Sequence, residues 1–566
     1  MTQHLPDARR PDATEEPKAA GRPVPAWPPE GARQLPFALR VGVTGHRKLA
    51  DPGSLIPAIH DAIHELTERL LGADVQPSLL VISALAEGAD RVVAREVLAG
   101  PGAELEAVLP LPPGEYLADF ASDDSKAEFT GLLDRATMVW QAPRGGSREE
   151  AYERAGRHIV DRCDVLIALW DGEPSRGRGG TATILDYARQ QGVPVAWVHT
   201  SGPAAPDYWY EPERASRIEK AAHEFRRYNA ASITDFPARA QAERDRLQPA
   251  AANDGATDSF NQTCERLAEW IVPYFVRADA LAARLERAFR MTSWGIFLAA
   301  AAAVAVVAAQ VTFVPRLTWI TAAEVILLML LVVVPLISRR RRVLERWISY
   351  RFLAERLRSG YFLALAGAGD PATRADRHER AAYLTDPTEV WLQRALEEVM
   401  ARRPDIQIGP DDVGPLREYL SNQWIGAQIR YHDKTARRQG IWDIRLFRIT
   451  IVLFLITAIA AFLHLLGVGE HHGDESELGL VLVLLSICVP AIGAAVHGIR
   501  TQSEFRRHCE RYERMAGLLR QLESDMRRAR SLHWIHEIAT DAERLMRAEN
   551  SDWFGVMRFH DVELIT

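Results

Sequence analysis

Four long apolar runs constrain this chain more than any other feature. Thr292 to Phe313 and Leu317 to Ile337 are separated only by Val314, Pro315 and Arg316, while Ile449 to Leu466 and Leu478 to Ile499 are joined by the polar loop Gly467 to Glu477. At about 1.5 Å of rise per helical residue, twenty such residues cover about 30 Å, the hydrocarbon thickness of a bilayer. Helices of a soluble core keep a polar face, whereas these runs are apolar on every side. The spacing predicts two helical hairpins and four membrane spans.

Charge placement sets an expected orientation, because Arg and Lys are retained on the cytoplasmic side of short flanks. Arg284, Arg287 and Arg290 precede span one, and Arg339 to Arg342 follow span two. Arg437, Arg438, Arg445 and Arg448 precede span three, Arg500, Arg506 and Arg507 follow span four, and the connecting loops hold only Arg316. Both termini are expected in the cytoplasm. The mean hydropathy of -0.14 conceals this segregation into very apolar and very polar blocks.

With 68 basic against 75 acidic residues, the net charge of -7 gives no basic field to draw nucleic acid, so none is expected as a partner. The four cysteines, Cys163, Cys264, Cys488 and Cys509, lack CxxC spacing. Neither a metal site nor a disulfide framework is expected. Residues 1–33 are rich in Pro, Ala and charge without an apolar core, which predicts a disordered cytoplasmic tail rather than a signal peptide.

Each hairpin is followed by a basic amphipathic helix, and the two match at an offset of 162 residues. Tyr350 pairs with Tyr512, Ala354 with Ala516, Leu357 with Leu519 and Arg358 with Arg520. The Tyr, Ala and Leu positions run i, i+4, i+7, one face of a helix. A duplicated unit of two spans plus a cytoplasmic helix explains this. A lead-in helix carrying Trp424, Gln428, Tyr431 and Ala436 precedes span three, with no clear counterpart in the sequence before span one. Between the units, loops flank a helix from about Glu389 to Ala401.

From Leu35 to about Thr200, strand-like runs (ALRVGV, LLVIS, LEAVLP, TMVWQ, DVLIALW, VPVAWV) alternate with amphipathic helices. That predicts an α/β, doubly wound parallel sheet of Rossmann-like type, in which ligands bind beyond the carboxyl ends of the strands. Three strand ends carry the candidate residues. Gly42, Thr44, Gly45, His46 and Arg47 follow the first strand, before a helix opened by Asp51 and Pro52; here the glycines permit close backbone approach and Arg47 can fork onto a phosphate. Ser83, Glu87, Gly88 and Asp90 follow the second, where a carboxylate can accept from ribose hydroxyls. A loop from Asp171 leads to Gly179, Gly180 and Thr181, the start of a helix whose free amides suit an anion. The pattern is not GxGxxG, so a dinucleotide dehydrogenase lacks its main support.

On VTGHR, SALAEGAD and GRGGTATILDYA, the stretch from Leu35 to Thr200 resembles the SLOG superfamily, the Rossmannoid LOG- and DprA-like domains. That resemblance implies a nucleotide or NAD-derived ligand and no further cofactor. LOG-type phosphoribohydrolases carry PGGxGTxxE; this chain has no Pro before Gly179, shorter glycine-threonine spacing and Ile184 three after Thr181, leaving Asp186 as the nearby carboxylate. The membrane units resemble the SLATT family of two-span modules, which implies a pore-forming effector in bacterial antiviral defence, in the inner membrane and as a homo-oligomer.

The expected organisation is a tail (1–33), a SLOG-like domain (34–245), a connector and helix into the membrane (246–290), a first two-span unit (291–367), a linker with a short helix (368–415), a second two-span unit (416–548) and a C-terminal tail (549–566). Glu324, seven residues into span two, is expected about 10 Å below the membrane surface. There it lines a water-filled interior, or pairs with Arg316 or Thr321. His464 and His497 fall near span ends, and Ala491, Gly493, Ala494, Ala495 and Gly498 suit close helix packing. Three functions remain open: a sensor gating the bundle, a membrane-tethered hydrolase of a nucleotide N-glycosidic bond using Arg47, Glu87 and Asp186, and a passive anchor for a partner.

Overall fold

The computed structural model describes residues 34–35, 37–72, 77–174, 179–201, 204–249, 257–313, 318–367, 387–468, 470–471, 474–475 and 477–558. The expected tail at 1–33, Arg316, loop residues 175–178, the linker stretch 368–380 and the last residues 559–566 lie outside these.

Strands β1 (Ala38–Gly45), β2 (Ser78–Ser83), β3 (Glu104–Leu109), β4 (Met138–Gln141), β5 (Val165–Trp170), β6 (Val195–His199) and β7 (Asp207–Trp209) form one sheet. Its order is β4-β3-β2-β1-β5-β6-β7, parallel throughout except for the β6–β7 pair. Helices α1 (Ile56–Leu71), α2 (Ala89–Leu98) and α3 (Asp123–Asp134) cover one face. Helices α4 (Arg148–Arg162) and α5 (Thr181–Gln190) cover the other. The central strands are buried on both faces, which explains why their sequences read as nearly unbroken apolar runs. The fold is the expected doubly wound α/β sheet.

Beyond the sheet the chain is helical. Helices α6 (Pro212–Ala230) and α7 (Phe236–Leu247) lead to α8 (Asp258–Phe313), a single helix of 56 residues that contains all of span one. There follow α9 (Thr318–Arg340), α10 (Val343–Leu365), α11 (Pro387–Ala401), α12 (Val413–Tyr419), a π turn (Leu420–Ile425), α13 (Gly426–Leu465), α14 (Glu477–Gln502), α15 (Phe505–Arg528) and α16 (Leu532–Arg558).

Four of these helical stretches are long and apolar enough to cross a membrane: Asp258–Phe313, Trp319–Arg340, Pro410–Leu465 and Glu477–Arg528. Their apolar side chains are mostly unpacked; Val325, Ile326, Met329, Leu336, Phe454, Leu455 and Ile459 are all exposed. Water would not tolerate a belt of that size, and lipid would. The chain has the build of a multi-pass membrane protein.

The duplication shows in the backbone. Helices α10 and α15 begin at Val343 and Phe505, 162 residues apart, and each is entered through a non-glycine residue of positive φ, Arg342 (48°) and Glu504 (43°). Such a conformation is costly for L residues, so its recurrence at matched positions marks the same helix corner built twice. The counterpart missing from the sequence before span one is present in the structure. It is the first half of α8, which packs along α10 as α13 packs along α15. Only geometry is kept there, so no residue pattern reveals it.

The described part of the stretch expected as a linker is packed. Helix α11 buries Trp391, Ala395 and Val399 in a helical core shared by α6, α8, α10 and α16. It also meets the amino-terminal edge of the sheet through buried and half-buried ion pairs. Arg40 of β1 binds Glu397 (2.9 Å) and Glu398 (3.0 Å), Arg394 binds Asp164 (2.6 Å) and the Ala38 carbonyl, and Arg402 binds Glu104 (2.6 Å). Helix α6 joins the two bodies as well: Ile218 and Ala222 pack on the sheet, while Phe225 and Tyr228 belong to the helical core. The expected boundary at 245 falls inside α7 (Phe236–Leu247), and the one at 368 lies outside the described residues.

Candidate functional site

The chain passes from β1 outward to β4 and returns to β5 on the other side of β1. The carboxyl ends of β1 and β5 thus form the topological switch point, where a crevice opens in sheets of this kind. The first two glycine-bearing turns meet there, and the third, at Gly179, packs on α4 beside them. The His46 amide donates to the Leu169 carbonyl of β5 (3.1 Å), and the His46 carbonyl accepts from the Ala89 amide that starts α2 (3.0 Å). Nε2 of His46 lies 3.1 Å from the amide nitrogen and 2.9 Å from the carboxylate of Asp171, so either tautomer finds a partner.

Glycine is required where these turns touch. Gly88 has φ +82°, and a Cβ there would collide with the carbonyl oxygens of His46 and Arg47. At Gly45 it would sit 2.6 Å from the Leu169 carbonyl, and at Gly179 (φ +77°) 2.9 Å from the Glu153 nitrogen in the first turns of α4. Helix α4 is started by a capping box of Ser147 and Glu150. Gly42 lies deeper, where an added Cβ would sit 2.8 Å from the Cys163 side chain. It serves helix packing, not the crevice.

Arg47 is exposed and arches over the Tyr152 ring of α4 (4.9 Å), with its guanidinium 4.0 Å from Asp119. Asp119, beyond the end of β3, also accepts from the hydroxyl of Tyr152 and the guanidinium of Arg148. Glu87 accepts from the Ser125 hydroxyl and the Ala121 amide (3.3 Å). The Ser125 hydrogen bond, partly opposed by burial, holds its carboxyl below the usual range. Thr44, in the last turn of β1 beside Ala168, is half-buried. Gly180 caps α5 without a side-chain bond, which leaves the first-turn amides beside Thr181 available to an anion.

Two expected ligand residues turn inward instead. Ser83 is fully buried; its hydroxyl accepts from the Leu85 amide (3.1 Å) and donates to the Asp90 carbonyl (3.3 Å), bracing a turn in which Leu85 holds a positive φ of 56°. Asp90 is buried, and that burial pushes its carboxyl up to about 7 against the hydrogen bond from the Ala86 amide (3.3 Å). Both residues shape the β2–α2 turn from within. Asp186 is exposed on α5 near Arg189 (4.0 Å), turned by about 140° around the helix from Thr181. Asp51 caps the short turn Gly53–Leu55 through the Gly53 amide (3.1 Å), with α1 starting only at Ile56. In the membrane part, Glu324 is half-buried on α9, while Thr321, one of its expected partners, accepts instead from Gln310 of α8 (2.9 Å).

The sequence reading missed Asp119, Arg148, Tyr152 and Asp171. A fourth strand end was legible in β3 and the following LPPGEYLADF, but its meeting with α4 is a tertiary contact. Among the described residues no group of three or more His, Cys, Asp or Glu could hold a metal ion. The arrangement offers a cation (Arg47), free helix amides and a carboxylate (Glu87) around one crevice, the groups that phosphate and sugar hydroxyls need. No family model and no curated protein matches this chain.

Proposed function

We propose that the carboxyl edge of the sheet binds a nucleotide or NAD-derived compound and that binding reorganises the four-helix membrane bundle. The observation that carries this reading is the contact of the Gly45 and Gly88 turns at the switch point, with Arg47 lying over Tyr152 of α4 and the Gly179 turn that opens the Thr181 helix packed on the same helix. Phosphate binds to the amides and Arg47, and Glu87 accepts from ribose hydroxyls. In this reading both termini are cytoplasmic, the membrane is a bacterial inner membrane and the chain acts as a homo-oligomer. The pore-forming and antiviral roles follow from the resemblance to SLOG and SLATT proteins.

A ligand shifts an equilibrium only by its difference in affinity for two states, so the crevice must connect to something that moves. The path supporting this runs through α6, packed on the sheet at one end and clamped to α8 at the other. Arg277 of α8 lies 2.7 Å from each of the carbonyls of Tyr228, Asn229 and Ala231 at the end of α6. Helix α8 then continues without a break into span one. The hydrolase alternative is weaker, because Asp186 faces solvent beside Arg189.

The test uses the full chain in detergent micelles, since α8 and α11 share one core with the second unit. Thermal shift is measured against a panel of nucleoside monophosphates, ADP-ribose and NAD. At least one compound raises the melting temperature of the wild type, and Arg47→Ala and Thr181→Val abolish the rise without lowering the unliganded value. A shift kept by both variants, or none in the wild type, contradicts the reading.

A further inference from the structure

The two matched helix corners differ sharply in charge. The first runs Arg339, Arg340, Arg341, Arg342; the residues 162 later are Thr501, Gln502, Ser503 and Glu504. Both corners adopt the same fold, with a positive φ at the fourth residue and a helix after it. The arginines are therefore not needed to make the turn, and their run of four at the corner itself is found only in the first unit.

A small cavity opens at that corner, lined by Glu224, Arg342, Glu345, Arg346, Ser349 and Trp391. It lies between α6, on the sheet side, and the first turns of α10, directly after the span Trp319–Arg340. Arg346 donates to the carbonyls of Arg341 and Arg342 (the latter at 3.4 Å), which fixes its guanidinium at the corner. Burial, and then the neighbouring Arg227, push Arg346 below the ordinary arginine value, so like charges are held together here. The cavity wall carries two guanidinium groups, Arg342 and Arg346, and two carboxylates, Glu224 and Glu345, and Arg227 and Arg341 add their positive charge close to Arg346. Glu345 is already engaged by Arg342 (2.5 Å). The corner is short of negative charge at the level where a phospholipid headgroup sits.

We propose that this corner is a binding site for the phosphate headgroup of an anionic lipid, wedged between α6 and the end of span two. Clusters of basic side chains just outside a span attract anionic lipid, each worth about a fivefold gain in affinity. Because α6 also packs on the sheet, the lipid ties the sheet domain to the membrane surface at the first unit only.

The full chain is reconstituted into nanodiscs of phosphatidylcholine alone or mixed equally with phosphatidylglycerol, and lipid retained after exchange into detergent is counted by native mass spectrometry. Wild type retains phosphatidylglycerol over phosphatidylcholine. Arg342→Gln and Arg227→Gln each weaken that retention by about fivefold, with unchanged melting temperature in pure phosphatidylcholine. Arg506→Gln at the second corner has no effect. Arg227 lies outside the turn, so its variant stays informative if Arg342→Gln misfolds. Equal loss at both corners, no preference in the wild type, or equal stabilisation of lipid-free protein by inorganic phosphate would overturn the proposal.

Discussion

The two edges of the same sheet are built in opposite ways. At the amino edge Arg40, Asp164, Arg394, Glu397 and Glu398 form a mostly buried ion network that joins the strands to α11. At the carboxyl edge the backbone is close-packed through glycines, but Arg47 is exposed and His46, Glu87 and Thr181 are half-buried. One edge is fixed to the helical core, and the other is left available to a ligand. Stability and binding should therefore separate by edge, and substitutions can test that division.

The largest effect is expected at the amino edge. Asp164→Ala strands Arg394, with a cost of about 3–5 kcal/mol for a broken buried pair. Denaturant titration of the full chain in micelles should show it; a loss below 1 kcal/mol would mean that the edge is not fixed by charge.

The next contrast is in pH. Glu106 of β3 is held down at about 2 by His158 and Arg162 against its burial. Its contribution is present above the ordinary carboxylate value near 4 and is lost as pH falls toward 2. Asp90, pushed up to about 7 by burial, acts with the opposite sign: the folded state holds its proton longer, so stability drops as pH rises from about 4 through 7. Asp90→Asn should remove that fall and stabilise the protein at pH 8 by on the order of 4 kcal/mol, as read by melting temperature across pH. No change in slope would place the Asp90 carboxyl in contact with water.

Smaller still is Gly88→Ala. The positive φ and the contact with the His46 and Arg47 carbonyls should cost about 1–3 kcal/mol and separate the turns. Nucleotide-induced stabilisation should vanish with it. Smallest is Arg47→Ala, exposed and outside the core, expected within about 0.5 kcal/mol of wild type in stability while losing the ligand-induced shift. A variant that instead unfolds would make Arg47 a structural residue.

Much of this architecture was legible in the residues. The six apolar runs all became strands, because central parallel strands must be apolar on both faces. The four spans were equally plain, since lipid demands length and hydrophobicity together. Strand β7 was not legible: three residues, Asp207 to Trp209, carry too short a pattern. Nor was the place of α11, whose Arg394 and Glu397 look like ordinary solvated charges until the fold brings Asp164 and Arg40 to them. In the crevice, motif spacing found His46, Gly88 and Gly179 but could not say which way side chains turn. Ser83 and Asp90 stand in the same motif as Glu87 and close the turn from inside.

Hydrogen exchange of the full chain, with and without a nucleotide that raises its melting temperature, tests the central claim most directly. Bound ligand should slow exchange together in residues 44–47, 86–90 and 180–183, with a further change along 258–290 of α8. Protection confined to one of these turns, or appearing only away from the carboxyl edge, would contradict it.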